Sequence, residues 1–340
     1  MKMRMNLALA AMGGFVLVGV AAGATVSINA AGATFPDPIY KRWFEDYRKL
    51  TKDGVQVNYQ AIGSGGGIRQ LQEGTVDFGA SDMPMHDPDI AKMKVKPLHF
   101  PTVLGGVVPI YNVPGVSDLK FSGDLLADIY LGKVTKWNDP AIAKENPGVK
   151  LPASEIIPVY RSDGSGTTFT FTDFLSKVSP EWKSKVGVND KVNFPAGTGA
   201  PKNDGVAGMV KQTPGTIGYV ELIYAASNKI PYGAVKNAAG NYLKADVNTV
   251  TAAAAGAAKN MPDDFRVSIT NAPGKEAYPI STFTWLLIPS RIEDPAKRKA
   301  VTDFLKWMLV DGQKAAAGLN YAPLPKEVVA KEEKQIAKVQ

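Results

Sequence analysis

The pattern of apolar and polar positions along the chain predicts helices that alternate with short strands. Apolar residues recur at helical spacing in segments 39–47 and 168–178. Between such segments lie short runs rich in β-branched residues, at positions 107–111, 156–160 and 216–220. Alternation of this kind is typical of layered α/β folds, in which helices cover a sheet.

Three loops rich in glycine, serine and threonine each precede a predicted helix, at residues 31–36, 63–67 and 161–167. Glycine lets successive amide N–H groups turn into one concavity, and the start of a helix favours an anion. In the third loop, Arg161 adds a planar fork of charged donors close to the hydroxyls of Ser165 and Thr167. An ordinary turn that caps a helix explains any one of these loops as well. Together they favour a single oxyanion site.

A carboxylate accompanies these donors. Asp82 ends the segment 79–82, which follows the alternating Val76 and Phe78. An ionised carboxylate repels an anion that has no proton, but it accepts a hydrogen bond from an anion that carries one. Monohydrogen phosphate carries such a proton and sulfate does not. Asp82 therefore favours phosphate as the anion.

A series of longer segments extends over nearly all of the chain beyond about residue 30. They are AGATFPDPIY (31–40), NYQAIGSGGGIRQL (58–71), TVDFGASDMPM (75–85), FPTVLGGVVPIYNVPG (100–115), DIYLGKVTKWNDPAIAKENPG (128–148), RSDGSGTTFTFTDFLSKV (161–178), KNDGVAGMVKQTPGTIGYVE (202–221) and YPIST (278–282). In their order and number, these segments resemble the periplasmic phosphate-binding proteins of bacterial high-affinity phosphate ABC transporters.

This resemblance implies a two-lobed α/β fold of the periplasmic binding protein kind, type II-like, in which each lobe is a mixed sheet flanked by helices. Two hinge crossings, near residues 108–112 and 280–284, are expected to join the lobes. Lobe 1 would comprise residues 25–109 plus 282–340, and lobe 2 residues 110–281. Since a ligand would touch both lobes, binding is expected to draw them together by a hinge movement.

The resemblance also implies a set of ligand residues, each of a fitting type in this sequence. The expected phosphate ligands are Thr34, Phe35 through its backbone N–H, Ser64, Asp82, Arg161, Ser165, Gly166 and Thr167. Asp163 is expected to pair with Arg161 and orient it. One position departs from the family pattern, because Gly65 stands where a second serine is common. No catalytic residue, metal or cofactor is expected.

The N-terminal residues predict a secretory signal peptide over residues 1–24. Lys2 and Arg4 precede an apolar stretch at 7–22, and the small residues 22–24 fit a cleavage site. An uncleaved membrane anchor is the alternative, although the stretch is short for a membrane-spanning helix. The 340-residue chain has no cysteine, so it offers none for a lipoprotein anchor or a disulfide. These features predict a periplasmic location.

Other functions find less support in the sequence. A metallophosphatase needs several metal ligands, but the two histidines, His86 and His99, have no ligand-like spacing. Ser64 and Ser165 lack the glycine that a nucleophile elbow has two positions earlier, and no P-loop string occurs. The aromatic residues lie at core spacing, which argues against nucleic-acid binding. A phosphate-ester hydrolase is thus disfavoured, and a receptor for sulfate or molybdate is the nearer alternative.

The expected partners follow from the family resemblance. They are inorganic phosphate and the membrane permease and ATPase subunits of a phosphate importer. No nucleic-acid partner is expected, and the protein is expected to be a monomer.

Overall fold

The computed structural model describes residues 25–340, which form eleven strands and twelve helices. The signal peptide predicted for residues 1–24 lies outside the described residues. The strands are β1 (Val26–Gly32), β2 (Val55–Ala61), β3 (Phe78–Ser81), β4 (Pro97–Tyr111), β5 (Lys120–Phe121), β6 (Ile157–Arg161), β7 (Thr198–Ala200), β8 (Thr216–Glu221), β9 (Ala234–Lys236), β10 (Tyr242–Leu243) and β11 (Ser281–Pro289).

The helices alternate with these strands, as the sequence pattern predicts. They are α1 (Asp37–Leu50), α2 (Ser64–Glu73), α3 (Asp87–Ile90), α4 (Gly123–Tyr130), α5 (Pro140–Glu145), α6 (Gly166–Val178), α7 (Pro180–Lys185), α8 (Lys202–Gln212), α9 (Leu222–Asn228), α10 (Val247–Lys259), α11 (Pro295–Val310) and α12 (Lys326–Ile336). Among the residues that the structure describes, no helix is long and apolar enough to cross a bilayer.

The larger of the two sheets is mixed and has the strand order β2–β1–β3–β11–β4–β8–β6–β7. In its first part, β1 runs parallel to β2 and β3, while β11 is antiparallel to β3 and β4. In its second part, β6 runs parallel to β7 and β8. Strands β10, β9 and β5 form a small second sheet. The prediction of an α/β fold with mixed sheets is confirmed.

Strand β4 joins the two parts of the large sheet. Its residues 97–106 pair with β11, and its residues 107–111 pair with β8. The run predicted at 107–111 is thus only the last third of a 15-residue strand. Almost every residue of β4 is buried, so its first part lacks the polar alternation that marks a half-exposed strand. The lobe boundaries expected at 109/110 and 281/282 fall within β4 and at the start of β11.

Helices α1 and α6 follow from local sequence. In α1 the predicted apolar stripe is buried, from Ile39 to Tyr47, and Asp37 in the first turn complements the helix dipole. Helix α6 begins at Gly166, two residues before the predicted start, because Ser165 caps it: the Ser165 Oγ accepts a hydrogen bond from the Thr168 N–H at 3.1 Å.

The second predicted loop, at 63–67, is instead the beginning of α2. Gly63 is the residue before the helix and has a φ of 92°, which favours glycine. Gly67 lies inside the helix, where a Cβ would come within 2.5 Å of the Gly32 Cα on β1. The absence of a side chain at Gly67 lets α2 pack closely against β1. This close approach stabilises a helix that three consecutive glycines would otherwise disfavour.

All five tryptophans pack in the interior or against it, as their spacing predicts. Trp43, Trp137, Trp182 and Trp285 are fully buried. Trp307 is half-buried and packs on Tyr47, with 5.4 Å between the ring centroids. These rings therefore serve the core and leave no exposed tryptophan platform within residues 25–340.

Candidate anion-binding site

The residues expected to bind an anion lie where strands end. Thr34 and Phe35 follow β1, Ser64 follows β2 and begins α2, Asp82 follows β3, and Arg161 ends β6. Because β1, β2 and β3 are parallel, their carboxyl ends meet at one edge of the sheet. Such an edge is the usual place for a ligand in open α/β sheets.

These residues are withdrawn from solvent. No member of the set that has a side chain is more than 3% exposed. Polar groups at this depth need hydrogen-bond partners. Their partners therefore indicate how each group is oriented.

Ser64 links the two parts of the molecule. Its Oγ accepts hydrogen bonds from the Gly166 N–H at 3.0 Å and from the Asp82 N–H at 3.2 Å. Beside it, the Gly65 N–H donates to the Gly164 carbonyl at 3.1 Å. Since two N–H donors occupy the acceptor sites of the Ser64 oxygen, its own proton is left to donate elsewhere.

Arg161 is held by a forked ion pair with Asp163. The Nε and Nη2 atoms donate to the two oxygens of Asp163, at 2.8 and 2.6 Å, and Nη1 donates to the Thr167 Oγ1 at 3.4 Å. Burial alone would raise the pKa of Asp163, but the hydrogen bond and charge of Arg161 lower that pKa below its ordinary value. The expected pairing of Asp163 with Arg161 is present.

Asp82 is a buried acceptor among donors. Its Oδ1 accepts a hydrogen bond from the Thr284 hydroxyl at 2.8 Å. Burial raises the pKa of Asp82 to about 7, although the Thr284 hydrogen bond, the charge of Arg161 and the Ser64 hydroxyl each lower it. The carboxyl can therefore gain or lose a proton near neutral pH.

Helix ends add to the positive potential around these groups. Helices α2 and α6 begin at Ser64 and Gly166, and α1 begins just after Phe35 and Pro36. Their N-terminal amides favour a negative charge. The arrangement thus combines hydroxyl, amide and guanidinium donors with one carboxyl acceptor, which suits an oxyanion that carries a proton.

The grouping of possible metal ligands and the surroundings of the two histidines bear on the hydrolase alternative. Among residues 25–340, no group of three or more His, Asp or Glu side chains could hold a metal ion. His99 is buried, and its Nε2 accepts a hydrogen bond from the Met85 N–H at 3.1 Å. Burial and the charge of Arg266 lower the pKa of His99 to about 4. His86 is exposed. Both histidines match the expectation of packing or surface positions.

Two residues near the site were not predicted from the sequence. Thr284 holds Asp82, and Asn203 on α8 donates from its Nδ2 to the Thr34 Oγ1 at 2.8 Å and to the Thr167 Oγ1 at 3.3 Å. Thr284 lies in a predicted crossing and Asn203 in a matched segment, but neither stands in a Gly/Ser loop. Only the tertiary fold brings them to the site.

Comparison of the sequence with known proteins agrees with this geometry. The PBP superfamily domain matches residues 19–311. The phosphate-binding protein PstS of Xylella fastidiosa (strain Temecula1) is 47% identical over 307 residues, which are 90% of this chain and 83% of that protein. The phosphate-binding protein PstS of Pasteurella multocida is 46% identical, over 90% of this chain and 88% of that protein.

Solved structures are similar in fold. A high affinity periplasmic phosphate-binding protein, PfluDING, solved with bound phosphate, has a TM-score of 0.73 at 21% identity, over 91% of this chain and 93% of that one. A phosphate binding protein from Stenotrophomonas maltophilia has a TM-score of 0.69 at 20% identity, over 91% and 94% of the two chains. The chain has the two-lobed fold of these proteins. The superfamily match and the identity to PstS proteins together show that this chain belongs to the family of phosphate-binding proteins in the PBP superfamily.

Proposed function

We propose that the protein binds one inorganic phosphate ion and delivers it to a membrane ABC importer. The observation that carries the proposal is Asp82, one buried carboxyl among hydroxyl, amide and guanidinium donors. A phosphate proton can satisfy this acceptor, whereas fully ionised sulfate would face it with a lone pair. The names of the relatives, phosphate-binding protein PstS, support the same ligand.

The proposed ligands divide between the two lobes. From lobe 1, the Thr34 and Ser64 hydroxyls and the Phe35 N–H donate to phosphate, and Asp82 accepts its proton. From lobe 2, Arg161 and the residues at the start of α6 donate; the latter are Ser165, Gly166 and Thr167. Asp163 keeps the guanidinium plane fixed. The ion pair at 2.6 Å and the nearly complete burial of Arg161 support that role.

The same division gives a proposal for movement. Lobe 1 (residues 25–109 and 282–340) and lobe 2 (residues 110–281) meet across hydrogen bonds between Ser64 and Gly166 and between Gly65 and Gly164. We propose that residues near the middle of β4 and the start of β11 act as the hinge. Opening would break these and the other hydrogen bonds between the lobes, such as that from Asn203 to Thr34, and would admit phosphate. Closure would bring the lobes together around the ion, which adds charged contacts to both.

The proposed role in transport includes partner proteins in the membrane and a cellular location. The proposed partners are the permease and ATPase subunits of a phosphate importer, and the proposed location is the periplasm after removal of residues 1–24. We propose a monomer that performs no catalysis. The relatives are named as binding proteins, which supports this part of the proposal. A receptor for sulfate or molybdate is disfavoured by Asp82.

Calorimetric titration of protein stripped of phosphate tests the proposal. We expect one phosphate per chain, with a dissociation constant of about 1 μM or lower, equivalent to about −8 kcal/mol or better. Sulfate at matched ionic strength should bind far more weakly, while arsenate, which carries the same protons, should compete. Failure to bind phosphate saturably, or equal affinity for sulfate, contradicts the proposal. Turnover of a phosphate ester that persists through purification would favour the hydrolase instead.

A further inference from the structure

We propose that Asn203 is a positioning residue that turns the hydroxyl groups of Thr34 and Thr167 into donors toward the ligand. The inference rests on the proposed phosphate-binding function, and it adds a residue that would not itself touch the ion. Asn203 is fully buried near the start of α8. It lies between a threonine from lobe 1 and a threonine from lobe 2.

The orientation of the Asn203 amide is fixed by its surroundings. Its Oδ1 accepts a hydrogen bond from the Glu221 backbone N–H at 3.2 Å. A backbone N–H can only donate, so the amide oxygen must face Glu221 at the end of β8. The NH₂ group must then face the two threonines, where it can only donate.

Both threonine oxygens consequently have their acceptor sites occupied. The Thr34 Oγ1 faces the Asn203 Nδ2 at 2.8 Å and the Asn203 backbone N–H at 3.4 Å. The Thr167 Oγ1 faces the Asn203 Nδ2 at 3.3 Å and the Arg161 Nη1 at 3.4 Å. A hydroxyl has one proton and two acceptor sites. With two N–H donors at each oxygen, the proton of each threonine has to point elsewhere.

This arrangement matters because a hydroxyl can otherwise act either as a donor or as an acceptor. A threonine free to rotate can turn a lone pair toward an anion, which repels it, or can donate to a neighbouring group. Asn203 removes those options at two hydroxyls together and connects them across the lobes. The Ser64 oxygen has the same pattern, with N–H groups of Asp82 and Gly166 at its acceptor sites. Within lobe 2 the Thr167 hydroxyl is oriented before the ion binds. Closure then brings Asn203 to Thr34, so that both hydroxyls donate once the lobes meet.

The test compares phosphate affinities of variants of the full chain by calorimetry, with folding checked by circular dichroism and thermal unfolding. Asn203→Ala should raise the dissociation constant about 10- to 100-fold, because two buried hydroxyls lose a donor. The matched control is Asn237→Ala. Asn237 is also a buried asparagine whose Nδ2 donates, to the carbonyls of Gly274, Lys275 and Ala277. That control should lose stability and keep its affinity for phosphate.

A double-mutant cycle separates positioning from a general structural role. A Thr34→Val background lacks one of the two hydroxyls. In that background, Asn203→Ala should raise the dissociation constant by a smaller fold-change than it does in the parent, and the two fold-changes should differ by about threefold or more. Asn203→Asp keeps the shape and the acceptor for Glu221 but presents oxygen to the threonines. It should weaken binding at least as much as the alanine change, and it keeps the test open if Asn203→Ala does not fold.

The outcomes are distinguishable. Affinities within about twofold of a phosphate-binding parent for the folded Asn203 variants overturn the inference alone. So does a strictly additive cycle, or an equal loss in Asn237→Ala. A parent that binds no phosphate overturns the proposed function and this inference with it.

Discussion

The ionisation of Asp82 should make the protein's selectivity depend on pH. Burial raises the pKa of this carboxyl to about 7, so it is protonated below that pH and ionised above it. Sulfate can bind favourably only to the protonated form, which donates a hydrogen bond to it. Monohydrogen phosphate brings its own proton and binds to the ionised form.

The magnitude follows from proton linkage. Above pH 7 each sulfate that binds must be accompanied by one proton taken up by Asp82. The dissociation constant of sulfate should therefore approach a tenfold rise per pH unit, or about 50-fold between pH 7 and 9, which corresponds to about 2.3 kcal/mol. Phosphate binds as monohydrogen phosphate to the ionised form, so its dissociation constant should not rise with pH. It should fall slightly near pH 7, where Asp82 and phosphate lose their remaining protons, and then stay constant. Selectivity for phosphate should accordingly increase with pH.

Asp82→Asn is the matched perturbation. The Thr284 hydroxyl donates to Oδ1 at 2.8 Å, and it can donate in the same way to the amide oxygen of the variant. The new NH₂ group then faces the ligand. Sulfate should bind this variant with the same affinity at pH 7 and 9, and at pH 9 about 100-fold or more tightly than it binds the parent. Phosphate should bind more weakly, because its proton loses its acceptor.

Competition calorimetry at constant ionic strength, from pH 6 to 9, measures these affinities. The decisive quantity is the slope of the logarithm of the sulfate dissociation constant against pH. A slope near one in the parent above pH 7, and near zero in Asp82→Asn, supports the account. A flat parent profile, or a variant that rejects sulfate as firmly as the parent does, would refute the role of Asp82, and selectivity would have to lie in the size of the site.

Three further changes test other parts of the molecule. Arg161→Ala should weaken phosphate binding about 10- to 150-fold in a calorimetric titration, because it removes a charged hydrogen bond of about 1.5–3 kcal/mol; an unchanged affinity would remove this residue from the site. Gly164→Ala should hinder closure, since its Cβ would lie 3.1 Å from the Gly65 Cα of the other lobe. Scattering should then show a smaller decrease of the radius of gyration on phosphate addition than in the parent or in the control Gly208→Ala, whose Cβ meets nothing within 4 Å; equal decreases would contradict this. Glu332→Leu should raise the free energy of unfolding in urea by about 1–3 kcal/mol at neutral pH, because neither buried carboxyl oxygen has a hydrogen-bond partner among residues 25–340. Burial raises the pKa of Glu332, so the parent should lose stability as the pH rises above the ordinary carboxyl range, and the variant should lack that loss. A variant that is less stable than the parent at every pH would contradict this prediction.

Local sequence predicts some elements well and others poorly. The apolar stripes of α1 and α6 are periodic and lie on one buried face each, so the spacing predicts both helices. Most of β4 has no such signal, because it is buried on both sides. The start of α2 was predicted as a loop, since glycines at 65–67 disfavour a helix in isolation. Close packing of Gly67 against β1 outweighs that local preference.

The same distinction applies to the site. Residues in the Gly/Ser loops, such as Ser64 and Arg161, can be predicted because the sequence around them is typical of an anion site. Asn203 and Thr284 do not, since their partners lie 169 and 202 residues away along the chain. Their orientation depends on contacts between distant parts of the chain, which no local pattern encodes. Only the folded chain brings such supporting residues to the site.

The central claim is that one phosphate ion is held between the two lobes. A crystal structure of the protein grown with phosphate tests it most directly. The account predicts one ion per chain, within hydrogen-bond distance of Thr34, Ser64 and Asp82 from one lobe and of Arg161 and Thr167 from the other. Phosphate bound elsewhere, or touching residues of only one lobe, would contradict the account.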